Sequence, residues 1–449
     1  MRIVLVMLLL AVLWCPASGR AADMGTSELR WTAALIANAA YSGELNILTR
    51  KWLNSRGWQV LSEQVDNSLA AGRLHLFNVS TPDGEELYFL AFPGTESVKD
   101  AHLDLRITRV PFGGSSPREF AEVAADLAHK TGAKPLVHRG FNEYVQTALF
   151  TKTWPAKGCT LGEALAAALK EDRARKLYLT GHSMGGATAT LAAARLADLG
   201  VSPEQLEVIT FGAPAVGNEA FARQYEHSFQ LTRVSMAGDP VDSVLQSLTG
   251  GFVQFGQRVD WRSKLTERFP HGMAVFLDEA WRHYVDEQPA DAVPKLTGRP
   301  REQLTAPVYV AQPEFKLSGD IRRDKKYMER AVGDLLQATC SPQVQGDKNK
   351  DFGKIMAEAQ RAGCTQIILT KYTGERIRQE RYNFRLTLEE EIYDIQGNLL
   401  SLESRSTTTK ELTPIEAVAY LYVQGQEDRQ KILPPLMYTK TEQHKDSEK

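Results

Sequence analysis

The apolar positions of residues 24–286 alternate between short runs with the length of strands and longer helical patterns. Residues 176–180 (KLYLT) have a strand pattern, and the alanine-rich stretch at 186–199 that follows has a helical one. Two further apolar runs, at 206–211 and 231–236, are also typical of strands. This alternation predicts an α/β domain, in which helices cover the faces of a sheet.

The pattern changes after the first domain. Residues 287–307 contain four prolines and several charges without periodicity, which predicts a linker. Residues 308–439 combine a strand at 308–310, two helical patterns and an alternating pair of strands around a turn at 396–398. These features predict a smaller α+β domain, and the polar residues 440–449 predict a loose tail.

The N-terminus contains a short apolar segment. Residues 3–14 follow Arg2 and precede small and polar residues, which predicts a cleavable signal peptide at residues 1–22. The segment is shorter than the roughly 18 to 20 apolar residues that a membrane-spanning helix needs, although an uncleaved anchor is the alternative. We therefore expect a secreted or periplasmic protein whose first domain occupies residues 23–286.

Length and charge limit the classes of function. A chain of 449 residues suits two folded units, and 43% hydrophobic with 24% charged residues is typical of globular proteins. The 53 lysines and arginines nearly balance the 55 aspartates and glutamates, so the net charge is only −2. Such a charge produces no strong field for polyanions, and nucleic acid is not an expected partner.

The cysteines leave one question open. Cys15 lies in the expected signal peptide, so the mature chain would keep Cys159, Cys340 and Cys364, an odd number with at least one free thiol. Cys340 and Cys364 are near enough in sequence to pair in an oxidising compartment, but spacing does not decide this. No cluster has the spacing of metal ligands, so we expect no structural metal.

The strongest chemical motif is Gly-His-Ser-Met-Gly at residues 181–185, between the predicted strand and the alanine-rich helix. A turn this tight needs glycine two residues before and two residues after the serine, and Gly186 lets the helix approach the sheet. The context therefore predicts a nucleophile elbow with Ser183 as the nucleophile, and an ordinary strand-to-helix turn is the alternative.

A serine nucleophile needs a general base and an acid that orients it, and in this type of site the acid comes before the base in the chain. Asp239 follows the predicted strand at 231–236 and is the preferred acid, with Asp242 as the alternative. His271 stands at the start of a helical pattern and is the preferred base. His283 is the alternative base.

The negative charge that develops on the substrate oxygen needs preorganised N–H donors. The backbone N–H of Met184 lies at the start of the predicted helix and is one candidate. Thr95, in the segment FPGTES after a predicted strand, can offer both its N–H and its hydroxyl. That segment could equally be an ordinary turn.

Taken together, the region 24–286 resembles the class 3, fungal-type triacylglycerol lipases of the α/β-hydrolase superfamily. Four segments support the resemblance: FPGTESVKDAHLDL from residue 92, His-Arg-Gly-Phe at 138–141, GHSMGGATATLAA from residue 181, and FGAPAVGN at 211–218. The resemblance implies an α/β-hydrolase fold.

By the same resemblance Asp239 is the acid and His271 the base, and residues 98–107 would be the short helix that covers the site in this family. The apolar face of that segment is modest. Three positions depart from the residues common in the family: Pro93 for arginine, Ala101 for tryptophan and Asp242 for proline. These departures affect the expected lid and substrate preference more than the expected chemistry.

The sequence therefore predicts an α/β-hydrolase domain followed by a small α+β domain of unknown role. The first functional hypothesis is a secreted or periplasmic serine carboxylester hydrolase that needs no cofactor. It would act on lipid esters, as a triacylglycerol lipase or a phospholipase, and would contact membrane surfaces transiently. The alternative is a catalytically silent hydrolase-fold scaffold whose C-terminal domain docks to an envelope protein.

Overall fold

The computed structural model describes most of the chain and divides it into two compact units. The described residues are 25–42, 44–66, 70–81, 84–95, 108–126, 133–154, 158–241, 251–267, 269–289, 302–340, 343–346, 351–377 and 383–438. The N-terminal unit comprises residues 1–49 and 58–298, and the C-terminal unit comprises residues 50–57 and 299–449.

The secondary structure of the N-terminal unit alternates as the apolar pattern predicts. Its strands are β1 (Gln59–Asp66), β2 (Ala71–Ser80), β3 (Glu86–Phe92), β4 (Arg109–Pro111), β5 (Leu136–His138), β6 (Thr153–Trp154), β7 (Cys159–Thr160), β8 (Leu177–His182), β9 (Leu206–Phe211), β10 (Gly217–Asn218), β11 (Gln230–Met236), β12 (Phe252–Val253) and β13 (Gln257–Trp261). Its helices are α1 (Thr26–Ala39), α2 (Glu44–Ser55, which enters the C-terminal unit at residue 50), α3 (Pro117–Ala125), α4 (Arg139–Phe150), α5 (Leu161–Glu171), α6 (Met184–Asp198), α7 (Glu219–Tyr225) and α8 (Met273–Glu287).

The main sheet has the order β1-β2-β3-β8-β9-β11-β13. From β3 to β13 each strand is parallel to its neighbour, whereas β1 and β2 add an antiparallel edge. β8 is buried along its whole length, as expected for a strand covered by helices on both faces. This mixed sheet with flanking helices confirms the predicted α/β class.

The parallel strands bring their carboxyl ends to one edge of the sheet. Phe92 at the end of β3 pairs with Gly181, and His182 at the end of β8 pairs with Phe211. The loops after β3, β8, β9 and β11 therefore leave the sheet from the same edge, where ligand sites of open α/β sheets are found. A separate antiparallel sheet, β12-β10-β5-β4, lies in the same unit.

The C-terminal unit contains a mixed sheet with the order β17-β15-β18-β19-β20, and β16 also pairs with β18. Its strands are β14 (Glu302–Leu304), β15 (Val308–Val310), β16 (Glu314–Leu317), β17 (Gln343–Gln345), β18 (Gln366–Arg376), β19 (Phe384–Asp394), β20 (Leu399–Thr408) and β21 (Leu436–Tyr438). Its further helices are α9 (Lys325–Thr339), α10 (Phe352–Arg361), α11 (Pro414–Gln424) and α12 (Gln426–Ile432). The predicted strand at 308–310 is β15, and the predicted turn at 396–398 joins β19 to β20.

Part of the segment predicted to be a linker is structured. Residues 302–304 form β14, which pairs with β21 inside the C-terminal unit. Its sequence, Glu-Gln-Leu, has only one apolar residue and therefore no strand pattern, which explains why no strand was expected there.

A buried ion pair explains why residues 50–57 belong to the C-terminal unit. The guanidinium of Arg56 contacts the carboxylate of Asp334 and donates to its backbone carbonyl at 2.6 Å. The indole N–H of Trp52 donates to the same carboxylate at 3.1 Å. Both charged side chains are almost fully buried, so each depends on the other for compensation.

The possible disulfide between Cys340 and Cys364 is not formed. Both are free, buried thiols in the C-terminal unit. Cys364 packs with Ile367 and neighbouring apolar residues, whereas the sulfur of Cys340 lies 3.7 Å from the Tyr422 hydroxyl. Burial raises the pKa of each thiol, which keeps both protonated.

Several expectations fall on parts of the chain that the structure does not describe. They are the signal peptide at 1–22, the lid helix at 98–107, the alternative acid Asp242 and the tail at 440–449. Among the helices that it does describe, none combines the length and the hydropathy needed to span a bilayer.

Candidate active site

Ser183 occupies a strained turn between β8 and α6. Its φ of 57° and ψ of −128° make it the one non-glycine residue with positive φ in the described part of the chain. Its N–H donates to the Phe211 carbonyl at 2.9 Å, and its own carbonyl accepts from Gly186 N at 3.0 Å. Such strain persists only where neighbouring structure enforces it, and it is typical of functional sites.

The glycines at 181 and 185 are required by close packing around this turn. A Cβ on Gly181 would overlap the backbone carbonyl of Gly185. A Cβ on Gly185 would overlap the Phe92 carbonyl oxygen and lie 2.9 Å from the carbonyl carbon of Pro93. The second contact shows that the loop after β3 lies directly against the first turn of α6.

The structure brings the three preferred residues of the predicted triad together. The distance from His271 Nε2 to Ser183 Oγ is 2.8 Å, and His271 Nδ1 lies 2.8 Å from both carboxylate oxygens of Asp239. The Asp239 side chain is fully buried. Because Nδ1 donates to the carboxylate, the lone pair of Nε2 faces the serine hydroxyl, which is the tautomer that a general base needs.

The loop after β11 holds Asp239 in place. Its backbone N–H donates to the Met236 carbonyl at 3.0 Å, and its Oδ1 accepts from Val241 N at 2.9 Å. His271 precedes the N-cap residue of α8, Gly272, so its side chain is presented from a helix start. The alternative base, His283, stacks instead on Trp261 with ring centroids 5.1 Å apart.

The two predicted oxyanion donors lie on adjacent segments. Met184 is the first residue of α6, where backbone N–H groups have no partner within the helix and the helix dipole favours an anion. Thr95 is half-buried, three residues beyond Phe92. Gly94, just before it, is packed so closely on the elbow that its Cβ would lie 2.8 Å from the His182 carbonyl oxygen.

Neither Tyr41 nor His182 was predicted to have a role in the site. The Tyr41 hydroxyl lies 2.6 Å from His182 Nδ1, and the rings of His182 and His271 have centroids 4.6 Å apart. Burial, with a smaller contribution from His271, lowers the pKa of His182 well below its usual value, so His182 is neutral. The position of His182 inside the Gly-His-Ser-Met-Gly motif was the one feature of the sequence that could have indicated a role.

Two other motif segments have structural roles. His138 caps α4 by accepting from Phe141 N at 3.4 Å and stacks on the Phe141 ring at 4.2 Å. Asn218 Oδ1 accepts from both Leu136 N and Phe221 N at 3.0 Å, which ties β5 to the start of α7. Among the described residues, no cluster of His, Cys, Asp and Glu is suited to a metal ion.

Comparison with known proteins gives partial matches to lipases. Residues 89–247 match the model of the class 3 lipase family. The chain is 41% identical to Lipase ZK262.3 of Caenorhabditis elegans over 78 residues, which cover 17% of this chain and 22% of that protein. It is 33% identical to the secreted mono- and diacylglycerol lipase 1 of Fusarium solani over 123 residues, 27% of this chain and 32% of that protein. The chain thus spans about a fifth and a third of these two relatives.

Solved structures give a further match. A Rhizomucor miehei lipase propeptide complex is 21% identical, with a TM-score of 0.39, over 55% of this chain and 69% of that one.

Proposed function

Since residues 89–247 match the model of the class 3 lipase family, we propose that this protein is a secreted or periplasmic serine carboxylester hydrolase that acts on lipid esters. The observation that supports the proposal most directly is the contact chain from Ser183 through His271 to Asp239, in which each step is 2.8 Å. An elbow serine, a base with its lone pair on that serine and a buried carboxylate form the arrangement that acyl transfer requires.

In the proposed reaction, Ser183 Oγ attacks the ester carbonyl carbon while His271 Nε2 accepts the hydroxyl proton. The carboxylate of Asp239 stabilises the resulting imidazolium. The tetrahedral intermediate then breaks its bond to the alcohol oxygen, and the alcohol leaves with the proton from His271. A water molecule, deprotonated by the same imidazole, attacks the acyl-enzyme and releases the carboxylic acid and Ser183.

The oxyanion of both tetrahedral intermediates would be bound by the backbone N–H of Met184 together with Thr95. Each preorganised donor of this kind contributes about 3 to 4 kcal/mol to the transition state. The close packing of Gly185 against the Phe92 carbonyl supports this assignment, because it brings the two donor segments side by side.

The substrate class comes from the relatives. A Fusarium solani relative is named a mono- and diacylglycerol lipase, and an Oryza sativa relative is named a phospholipase A1. We therefore propose acylglycerols and phospholipids as substrates, with transient contact to a lipid surface. Residues 23–286 would perform the chemistry, and residues 308–439 would have a separate role.

Labelling with a fluorophosphonate tests the proposal. The wild type should be labelled and should hydrolyse p-nitrophenyl esters, whereas Ser183→Ala should do neither. Ser228→Ala, a serine in the turn after α7, is the matched control and should behave like the wild type. A panel of triacylglycerols and phospholipids then identifies the substrate class.

Secretion is tested separately by the N-terminus of the protein collected outside the cytoplasm, which should begin near residue 23. Absence of both labelling and turnover would refute the hydrolase and favour the silent scaffold.

A further inference from the structure

Tyr41 and His182 form a buried pair directly behind the proposed base. Tyr41 lies two residues after the end of α1, and His182 is the last residue of β8, next to Ser183. Their side chains are joined by a 2.6 Å hydrogen bond between Tyr41 Oη and His182 Nδ1. The proposed mechanism gives neither side chain a part. His182 nevertheless directly precedes Ser183 and packs on the ring of His271, and Tyr41 bonds to His182.

The His182 ring is enclosed by the side chains around the base. Its centroid lies 4.6 Å from that of His271 and 5.6 Å from that of Phe276 in α8, and the residue is only 5% exposed. Nε2 is buried and makes no hydrogen bond of normal geometry with any described residue, so the contact of His182 with His271 is one of ring packing.

These contacts define the tautomer of His182. The lone pair of a neutral imidazole is a stronger acceptor than a phenol oxygen, so the hydroxyl of Tyr41 donates to Nδ1 of His182. The proton of the neutral ring is therefore on Nε2. The His182 ring is thus bonded to Tyr41 at Nδ1 and packed against the imidazole of His271.

A neutral His182 also suits the reaction. The proposed mechanism makes His271 an imidazolium in each tetrahedral intermediate. A second positive ring with its centroid 4.6 Å away would oppose that charge. The donor hydroxyl of Tyr41 occupies Nδ1, which is the site where a second proton would have to bind.

Tyr41 also touches the other half of the site. Its hydroxyl occupies the space that a Cβ on Gly94 would need, and Gly94 directly precedes Thr95. One hydroxyl therefore packs against the segment leading to the proposed oxyanion donor and bonds to the ring behind the proposed base.

We propose that Tyr41 and His182 are positioning residues: the hydrogen bond fixes the His182 ring, which packs against the imidazole of His271 and keeps it aligned with Ser183. This inference rests on the proposed function, because it assigns the pair a part in that reaction. It predicts an effect on the chemical step and not on substrate binding, since neither side chain needs to touch the substrate.

The variant Tyr41→Phe tests the inference, because it removes the hydroxyl and keeps the ring. We expect kcat on a soluble p-nitrophenyl ester to fall about tenfold, within the range that general-base catalysis contributes, while KM stays within about twofold. The rate of fluorophosphonate labelling should fall by the same factor. Tyr144→Phe is the matched control, since the Tyr144 hydroxyl bonds to the Arg73 main chain at 2.9 and 3.0 Å in the same unit. Its kcat should not change.

A second pair of variants keeps the inference testable if Tyr41→Phe does not fold. The amide oxygen of His182→Gln can still accept from the Tyr41 hydroxyl, whereas His182→Leu cannot, so the glutamine variant should retain several times more kcat.

Wild-type kcat in Tyr41→Phe, or equal losses in His182→Gln and His182→Leu, would overturn the inference. In that case labelling of Ser183 in the wild type would leave the proposed function standing. An unlabelled, inactive wild type would instead overturn both.

Discussion

The substitution Asp239→Asn tests the role of the carboxylate in proton transfer with little change to the shape of the site. Asparagine has nearly the shape of aspartate, and its carbonyl oxygen can keep the 2.9 Å bond from Val241 N. The amide nitrogen then faces His271 Nδ1 as a donor. The imidazole must respond by moving its proton to Nε2, where it points at Ser183 and no lone pair is left to accept the hydroxyl proton.

The size of the effect follows from the charge that is lost. The Asp239 side chain is fully buried and lies 2.8 Å from Nδ1, so the charge centres of carboxylate and imidazolium are about 4 Å apart. At an effective dielectric constant of about 20, that attraction is about 4 kcal/mol, or about a thousandfold in rate. The cost of the wrong tautomer adds to it, so we expect kcat to fall by about 10³ to 10⁴.

The assay is initial-rate hydrolysis of a soluble p-nitrophenyl ester, with Asp242→Asn as the control. Asp242 is the alternative acid in the sequence, and its replacement should leave kcat within about threefold. The KM of Asp239→Asn should stay close to the wild-type value, because the carboxylate lies behind the imidazole and not against the substrate. More than a tenth of wild-type kcat in Asp239→Asn, or a large loss in Asp242→Asn, would refute the reasoning.

Three further predictions concern stability and thiol chemistry. In urea unfolding, Ser183→Gly should have a free energy of unfolding about 1 kcal/mol higher than Ser183→Ala, because glycine adopts the positive φ without strain. Equal stabilities of the two variants would contradict backbone strain at this position. Burial raises the pKa of Asp198 to about 6 from its usual value of 3.8, so the folded state binds the proton more tightly than the unfolded state. The unfolding free energy should therefore decrease by about 2 kcal/mol between pH 4 and pH 6, and Asp198→Asn should lack that decrease in the same titration. Cys159, Cys340 and Cys364 should all be alkylated in protein denatured without reductant, and a protected pair in the mass spectrum would contradict the free thiols.

The elbow could be predicted because its determinants are local. The strand pattern, the glycine spacing and the alanine-rich helix all lie within about 25 residues. Each is a direct effect of residue type on backbone conformation, so it can be recognised in the sequence. The predicted start of the helix was less accurate. α6 begins at Met184, two residues before the predicted start, because the strained turn at Ser183 places two glycines in the first helical turn. The helical pattern did not extend past Gly185, because glycine has low helix propensity.

Contacts between distant residues could not be predicted. Tyr41 and His182 are 141 positions apart, and Arg56 and Asp334 are 278 apart. Neither pair has a periodic pattern, since each residue in isolation is compatible with a solvent-exposed surface. The same limit explains why the state of the cysteines could not be predicted. Their spacing in sequence allowed a disulfide, but Cys340 and Cys364 lie in separate environments and both are free.

The parallel sheet explains why residues far apart in sequence nevertheless meet. β3, β8 and β11 run in one direction, so the residues that follow them, Thr95, Ser183 and Asp239, emerge at the same edge. His271 is brought to that edge by α8, and its ring packs on the side chain that ends β8. Strand direction thus determines which loops contribute residues, and packing between side chains determines their alignment. Substitutions behind the base, such as Tyr41→Phe, should therefore affect rate while the fold of the sheet is retained.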